Sequence, residues 1–192
     1  EVLATGGTTK PLRDRGIVFT DISEVTGFPE RGDGRVKTLQ PKVHGGRLAR
    51  RDMPSHIEAL RENGIEFIDM VCVNLYPFRQ TIAREGVSME EAVENIDIGG
   101  PSMLRSAAKN FRDVTVVCDP MDYGRVLDEI RATGNTKPET RLELSAKAFT
   151  HTAESDSCIA TDSRAKPRLA DKLSLAFVIP PELRHAATPH LH

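Results

Sequence analysis

A chain of 192 residues with 39% hydrophobic content has room for one compact domain of ordinary size and a tail, not for two full-sized domains. Its 26 Lys and Arg against 28 Asp and Glu leave a formal charge of -2, so no long-range field draws it to nucleic acid or to an anionic membrane, and a small polar ligand fits better than a polyanion. No stretch approaches the roughly 18 to 20 uninterrupted apolar residues that a bilayer span needs, and no basic-then-apolar leader opens the chain. A soluble, cytoplasmic protein is expected. Its three cysteines, Cys72, Cys118 and Cys158, are expected to be reduced, with two of them inside buried strands. The chain opens directly on apolar Val2-Leu3-Ala4, which reads as strand interior, as though the natural N-terminus lay further upstream.

Short apolar runs alternate with helical patterns, the signature of a layered α/β fold on a mostly parallel sheet. In chain order, strands are predicted at 2–4, 17–22, 70–75 and 114–118. Helices are predicted at 10–15, 54–62, 88–95, 101–110, 120–131 and 138–154. Ser88 with Glu91, and Thr136 with Glu139, have capping-box spacing, and Asp119-Pro120 sets an acceptor side chain ahead of a first-turn proline. From Ser23 to Arg51 neither period holds, and a Gly-, Pro- and base-rich stretch of that length without regular structure is expected to be functional. Past Ala160 the pattern dissolves, apart from a short apolar run at 173–179. The expected division is a domain over 1–160 and a linker with a terminal remnant over 161–192.

Thr5-Gly6-Gly7-Thr8 follows the first strand and precedes a helix. Its N–H groups and hydroxyls can cradle a phosphate, although a Gly-Gly turn arises equally from sterics. Arg35, Lys37 and Thr38 lie in a run from Gly34 to Leu39 that Pro41-Lys42-Val43-His44-Gly45-Gly46 continues. Arg can take phosphate oxygens in a fork and Lys can meet a developing oxyanion; the plain alternative is a solvated basic loop. Asn74-Leu75-Tyr76-Pro77-Phe78 sits at a strand end, where open α/β sheets bind ligands. There the Asn74 amide can read a heterocycle, the Tyr76 phenol can relay a proton, and Phe78 closes the core.

Asp97, between Ile96 and Ile98 and ahead of Gly99-Gly100-Pro101-Ser102, is either a helix cap or a carboxylate whose pKa burial raises and a nearby lysine opposes. Arg105 and Lys109 share a helix face opposite Ala107 and Ala108, either a site stripe or a wet basic face. His44, His56 and His151 are too scattered for a metal set, and His185, His190 and His192 belong to the tail, so no metal site is expected.

Taken in order, Thr5-Gly6-Gly7-Thr8, Glu24-Val25-Thr26-Gly27-Phe28-Pro29-Glu30, Gly34 to Leu39, Val73 to Phe78, Ile96 to Asn110 and Ala146-Lys147-Ala148-Phe149 resemble the IMP cyclohydrolase family, one half of the bifunctional AICAR transformylase/IMP cyclohydrolases. The resemblance runs from Glu1 to about Ala160. It implies a Rossmann-like, methylglyoxal synthase-like fold, with a parallel sheet flanked by helices and the ligand at the strand ends. It also implies the dehydrative closure of a formylated aminoimidazole carboxamide ribotide to IMP, without cofactor or metal. Carried over residue by residue, Thr5, Gly6, Gly7, Thr8, Arg35 and Thr38 hold the ribotide phosphate. Asn74, Ile98 and Gly99 line the base site, and Lys37, Tyr76, Asp97 and Lys109 form the catalytic set. The implied partners are the ribotide and IMP, with a homodimer in full-length relatives and no nucleic acid or membrane.

Three departures stand out. The family's opening strand and helix, with a Ser and Lys phosphate motif, have no counterpart ahead of Val2, so the first βα unit is expected to be missing. Gln40 stands where the family has His; an amide can keep a hydrogen bond but does not titrate near neutrality. Leu183-Arg184-His185-Ala186-Ala187-Thr188-Pro189-His190 resembles a degraded copy of the segment that opens the transformylase half, so formyl transfer is not expected of this chain. A non-catalytic phosphate or nucleotide sensor, and a fragment that folds only with a partner, are the competing readings. Retained Lys37, Asp97 and Lys109 favour the enzyme.

Overall fold

The computed structural model describes residues 1–28, 32 and 34–162. β1 (Leu3–Ala4) leads through a 3-10 turn at Gly6–Thr8 and α1 (Thr9–Asp14) to β2 (Thr20–Asp21), which pairs with it in parallel. Then come α2 (Ile22–Thr26), α3 (Pro41–Leu48) and α4 (Pro54–Glu62). β3 (Met70–Cys72) is followed by α5 (Phe78–Ile82), α6 (Met89–Glu94) and α7 (Gly99–Lys109), and by β4 (Thr115–Val117), again parallel, with Val71 opposite Val116. A 3-10 turn at Pro120–Asp122, α8 (Tyr123–Thr133) and α9 (Pro138–Asp162) complete the described chain. The class is the expected α/β with parallel strands, here in two two-stranded sheets.

The core gathers around the second pair. Leu104, Ala107, Val114 and Val116 expose nothing to solvent, and Val71, Val117, Leu144 and Ala148 pack with them. α7 and α9 approach closely because their facing residues are small: Ala107, Ala108, Ser145 and Ala148 are all buried, and the Ser145 hydroxyl donates to the Ala108 carbonyl at 2.8 Å. Arg105 and Lys109 stay exposed on the other side of α7, as its amphipathic pattern requires.

Several expectations need correction. The 23–51 stretch is not irregular throughout, since most of α2 and all of α3 lie in it. Asp21 starts α2, its carboxylate accepting from the Ser23 amide at 2.9 Å and the Ser23 hydroxyl at 2.7 Å. α3 starts on Pro41, but Gly45 and Gly46 erase the apolar period; a Cβ on Gly46 would collide with the Glu66 carbonyl. The strand expected over 17–22 shrinks to Thr20–Asp21, because the Ile17 amide closes α1 on the Leu12 carbonyl at 3.0 Å and Val18 faces solvent. The strand expected over 70–75 stops at Cys72, the final helix runs on to Asp162, and α5 is too short to leave a period.

Ser88 does cap α6, its Oγ accepting from the Glu91 amide at 3.0 Å, and Asp119 accepts from the Met121 amide at 2.9 Å. Thr136 caps nothing: its hydroxyl pairs with that of Thr115 at 2.7 Å, tying β4 to the start of α9. All three cysteines are free; Cys118 is buried as expected, but Cys72 is exposed on the side of β3 away from the core. Pro29 and Glu30 of the second motif lie outside the described residues, as do the 173–179 run and the 183–190 segment. Among the described residues no helix is long and apolar enough to cross a membrane.

Candidate functional site

The carboxyl ends of β1 and β2 lie side by side, and each opens into a short helical segment, the second capped by Asp21. Gly6 has φ 58°, in the left-handed region that favours glycine. A Cβ on it would stand 3.3 Å from the Lys37 amine, so Lys37 rests against the Thr5–Thr8 turn. The same amine faces the end of β2. There the Ser23 hydroxyl and amide hold the Asp21 carboxyl below its usual range, and the charges of Lys37 and Arg13 add to the effect.

One residue further, Thr38 is buried, its Oγ1 2.6 Å from where a Cβ of Gly99 would lie. Gly99 is the first residue of α7. Asp97 sits just ahead of it, with Oδ1 accepting from the Gly100 amide at 2.8 Å. A Cβ on Gly100 would collide with the other Asp97 oxygen and stand 2.8 Å from Leu75. Both glycines are therefore required, one by Thr38 and the other by Asp97 and Leu75. The α7 N-terminus brings the partial positive charge of a helix start to this corner, although Asp97 already takes the Gly100 N–H and Pro101 has none to offer. A glycine turn, an amine, a buried hydroxyl and a helix start suit an anionic small molecule. The Asp97 carboxylate beside them supplies an acceptor for a proton.

The remaining predicted residues are distributed around this corner. Asp97 and Ile98 border an open cleft of about 370 Å³, whose other walls include Ser102 and, from the end of α9, Asp156 and Ile159. A wider depression of about 570 Å³ on α8, lined by Arg125, Glu129 and Lys137, touches none of the predicted residues. Arg35 is ion-paired with Glu94 at the end of α6. Tyr76 is exposed beyond β3. Lys109 is exposed in the last turn of α7, ten positions after Gly99 and so about 15 Å along the helix axis. Asn74 shares a side of the β3 extension with Cys72, and its amide donates to the Tyr123 hydroxyl at 3.3 Å. Gln40, at the start of α3, keeps a hydrogen bond, donating to the Val36 carbonyl at 3.3 Å. Among the described residues no group of three or more His, Cys, Asp or Glu could hold a metal ion.

Asp21, Glu94, Tyr123 and Asp156 were not foreseen. Asp21 had a readable signal, an Asp two residues before a Ser at a strand end. The others depend on contacts distant in sequence.

Residues 1–102 match the MGS-like domain family, and residues 107–191 match the AICARFT/IMPCHase bienzyme family. The chain is 51% identical over 192 residues to the bifunctional purine biosynthesis protein PurH of Thermoanaerobacter sp. (strain X514), across 99% of this chain and 38% of that protein. It thus spans well under half the length of that curated relative. Among solved structures it resembles the one titled crystal structure of ForH, with a TM-score of 0.72 and 39% identity, over 83% of this chain and 84% of that one.

Proposed function

Because the chain belongs to the MGS-like domain family, we propose that it is an IMP cyclohydrolase domain, closing the pyrimidine ring of IMP from the formylated aminoimidazole carboxamide ribotide. The observation that carries this reading is the meeting of Lys37, the Thr5–Thr8 turn, Thr38 and the Asp97-Gly99-Gly100 helix start at one corner. In this reading the phosphate lies on Thr5, Gly6, Gly7, Thr8 and Thr38, and Arg35 joins it by exchanging the Glu94 carboxylate for phosphate oxygens. The base lies against Asn74, Ile98 and Gly99.

The carboxamide nitrogen attacks the formyl carbon and gives up one proton, for which Asp97 is the acceptor. The formyl oxygen becomes an oxyanion, and Lys37 meets it with a positive charge. Protonated in turn, that oxygen leaves as water as the neighbouring nitrogen loses its hydrogen and the C=N bond forms. Tyr76 assists this last proton transfer. Lys109 stands a helix length from Asp97, so its place in the set rests on the family resemblance alone. The chemistry asks for no cofactor or metal. The same reading makes residues 1–160 the cyclohydrolase domain, acting in the cytoplasm and in full-length form as a homodimer. In this reading neither nucleic acid nor membrane is a partner.

The test is direct. Purified chain is incubated with formylated ribotide, IMP formation is followed by ultraviolet absorbance, and IMP binding is measured in parallel. Lys37→Met and Asp97→Asn are each expected to lower kcat by about 10² to 10³ with folding intact. Binding without turnover in the unaltered chain supports the sensor reading, neither supports the fragment, and variants as fast as the parent remove both residues from the chemistry.

A further inference from the structure

Asn74 and Cys72 are two residues apart at the carboxyl end of β3 and point to the same side. Both reach one atom: the Tyr123 hydroxyl oxygen accepts from the Asn74 side-chain amide at 3.3 Å and from the Cys72 thiol at 3.4 Å. Tyr123 is the first residue of α8, and the turn that delivers it is held from α9. Lys147 bridges Asp119 at 2.6 Å and Asp122 at 2.7 Å, while Asp119 also accepts from the Met121 amide. Tyr123 is partly buried and packs against the hydrophobic core. The ring is thus held by packing, and the turn that precedes it by a doubly paired lysine.

We propose that Tyr123 is a positioning residue that sets the specificity of the base site: by engaging the nitrogen of the Asn74 amide it leaves the amide oxygen as the atom offered to the ligand. A carboxamide is a donor at one end and an acceptor at the other, and an unrestrained Asn can present either. Held by Tyr123, Asn74 presents an acceptor. It therefore selects ligands that carry an N–H at the facing position: the carboxamide of the ribotide, and the ring N–H that this carboxamide becomes in IMP. The inference rests on the cyclohydrolase reading and deepens it.

The experiment compares binding of IMP with binding of purine riboside 5′-monophosphate, which lacks that ring N–H, in the parent chain and in Tyr123→Phe. The parent is expected to prefer IMP. Tyr123→Phe keeps the ring and its packing, and is expected to lose roughly 2- to 10-fold of that preference. KM for the ribotide is expected to rise by a similar factor while kcat changes less than twofold. Asn74→Ala is expected to erase the same preference, and the double variant to be no worse than Asn74→Ala alone. A parent that binds neither nucleotide sinks the cyclohydrolase reading and this inference with it. A parent that binds and turns over, beside a Tyr123→Phe of unchanged preference or effects that add with Asn74→Ala, overturns only the role of Tyr123. If Tyr123→Phe does not fold, the Asn74→Ala preference decides: retained preference refutes the inference, lost preference supports it.

Discussion

β4 is buried at all three of its positions and lies against α7 and α9, whereas β1 buries one residue of two and β2 neither of its two. Val2, Leu3, Ile17 and Val18 all stay exposed around the first pair. The two ladders are of one kind, and their surroundings differ. Parallel strands depend on cover over both faces, and of the four only β4 has it, with β3 covered on its Val71 face. The residues proposed to hold phosphate and meet the oxyanion nevertheless stand on the thinly covered half. Their position comes from the well-covered one, through Thr38 against Gly99 at the start of α7. A ligand-binding segment drawn from the less stable part of a fold is free to adjust, while the helix start it leans on is not.

Unequal burial predicts unequal mutational cost. Leu104 exposes nothing and sits amid the second pair's core, so Leu104→Ala is expected to cost about 3 to 5 kcal/mol in urea unfolding. Ile22→Ala, beside the first pair, is expected near about 2 kcal/mol, the low end for such a truncation. Equal costs would mean that the two halves share one core and that the contrast drawn from burial is wrong.

The next largest effect lies where the halves join. α3 touches α2 on one side and α7 on the other. Its end is held by Asn110, whose amide donates to the Arg47 carbonyl at 2.9 Å and the Ala49 carbonyl at 3.1 Å. Arg47 is 1% exposed, and among the described residues its Nε and one terminal nitrogen, Nη2, find no hydrogen-bond partner. Burial pushes its pKa well below the usual arginine range, to about 10. For a base whose folded pKa is depressed, the charged form is penalised in the fold. That penalty is complete below about pH 10 and is relieved only as pH rises through 10 toward the ordinary arginine range, so at pH 7 it is a constant cost. Arg47→Met keeps most of the volume without the charge, and is expected to stabilise the protein by about 1 to 4 kcal/mol in urea unfolding at pH 7. A loss of stability would mean that the guanidinium contributes more through its packing than its burial costs.

Legibility in the sequence followed the distance to the controlling partner. The helix over 54–62 could be read to its ends because Pro54 starts it and its own turn at Asn63 and Gly64 stops it. α6 was readable from Ser88 and Glu91, three residues apart. α3 was hidden because Gly45 and Gly46 answer to Ile65 and Glu66, some twenty residues on, and obscure the helix's own pattern. Thr136 had the right spacing for a cap, but a buried hydroxyl on β4 took it. The site divides in the same way. Lys37 and Asp97 could be nominated from residue type and order. That Gly99 must be bare to admit Thr38, and that Tyr123 holds Asn74 from 49 positions away, are consequences of packing that no local pattern carries.

The smallest effect reports on the junction from inside. His44, one turn before Arg47 on α3, has its pKa lowered, first by burial and second by the Arg47 charge. The fold therefore favours neutral His44. Its contribution to stability is present above the ordinary value of 6.5 and is lost as pH falls through that value toward the lowered one. Arg47→Met removes the second cause and leaves the first, so the His44 pKa is expected to move part of the way back toward 6.5 without reaching it, read from the imidazole resonances in an NMR titration. Full recovery would mean that charge and not burial set the shift, and that α3 is no better covered than the strands it serves. No movement would mean that the guanidinium does not face His44, leaving burial of α3 as the whole cause and the junction as closed to solvent as the second half.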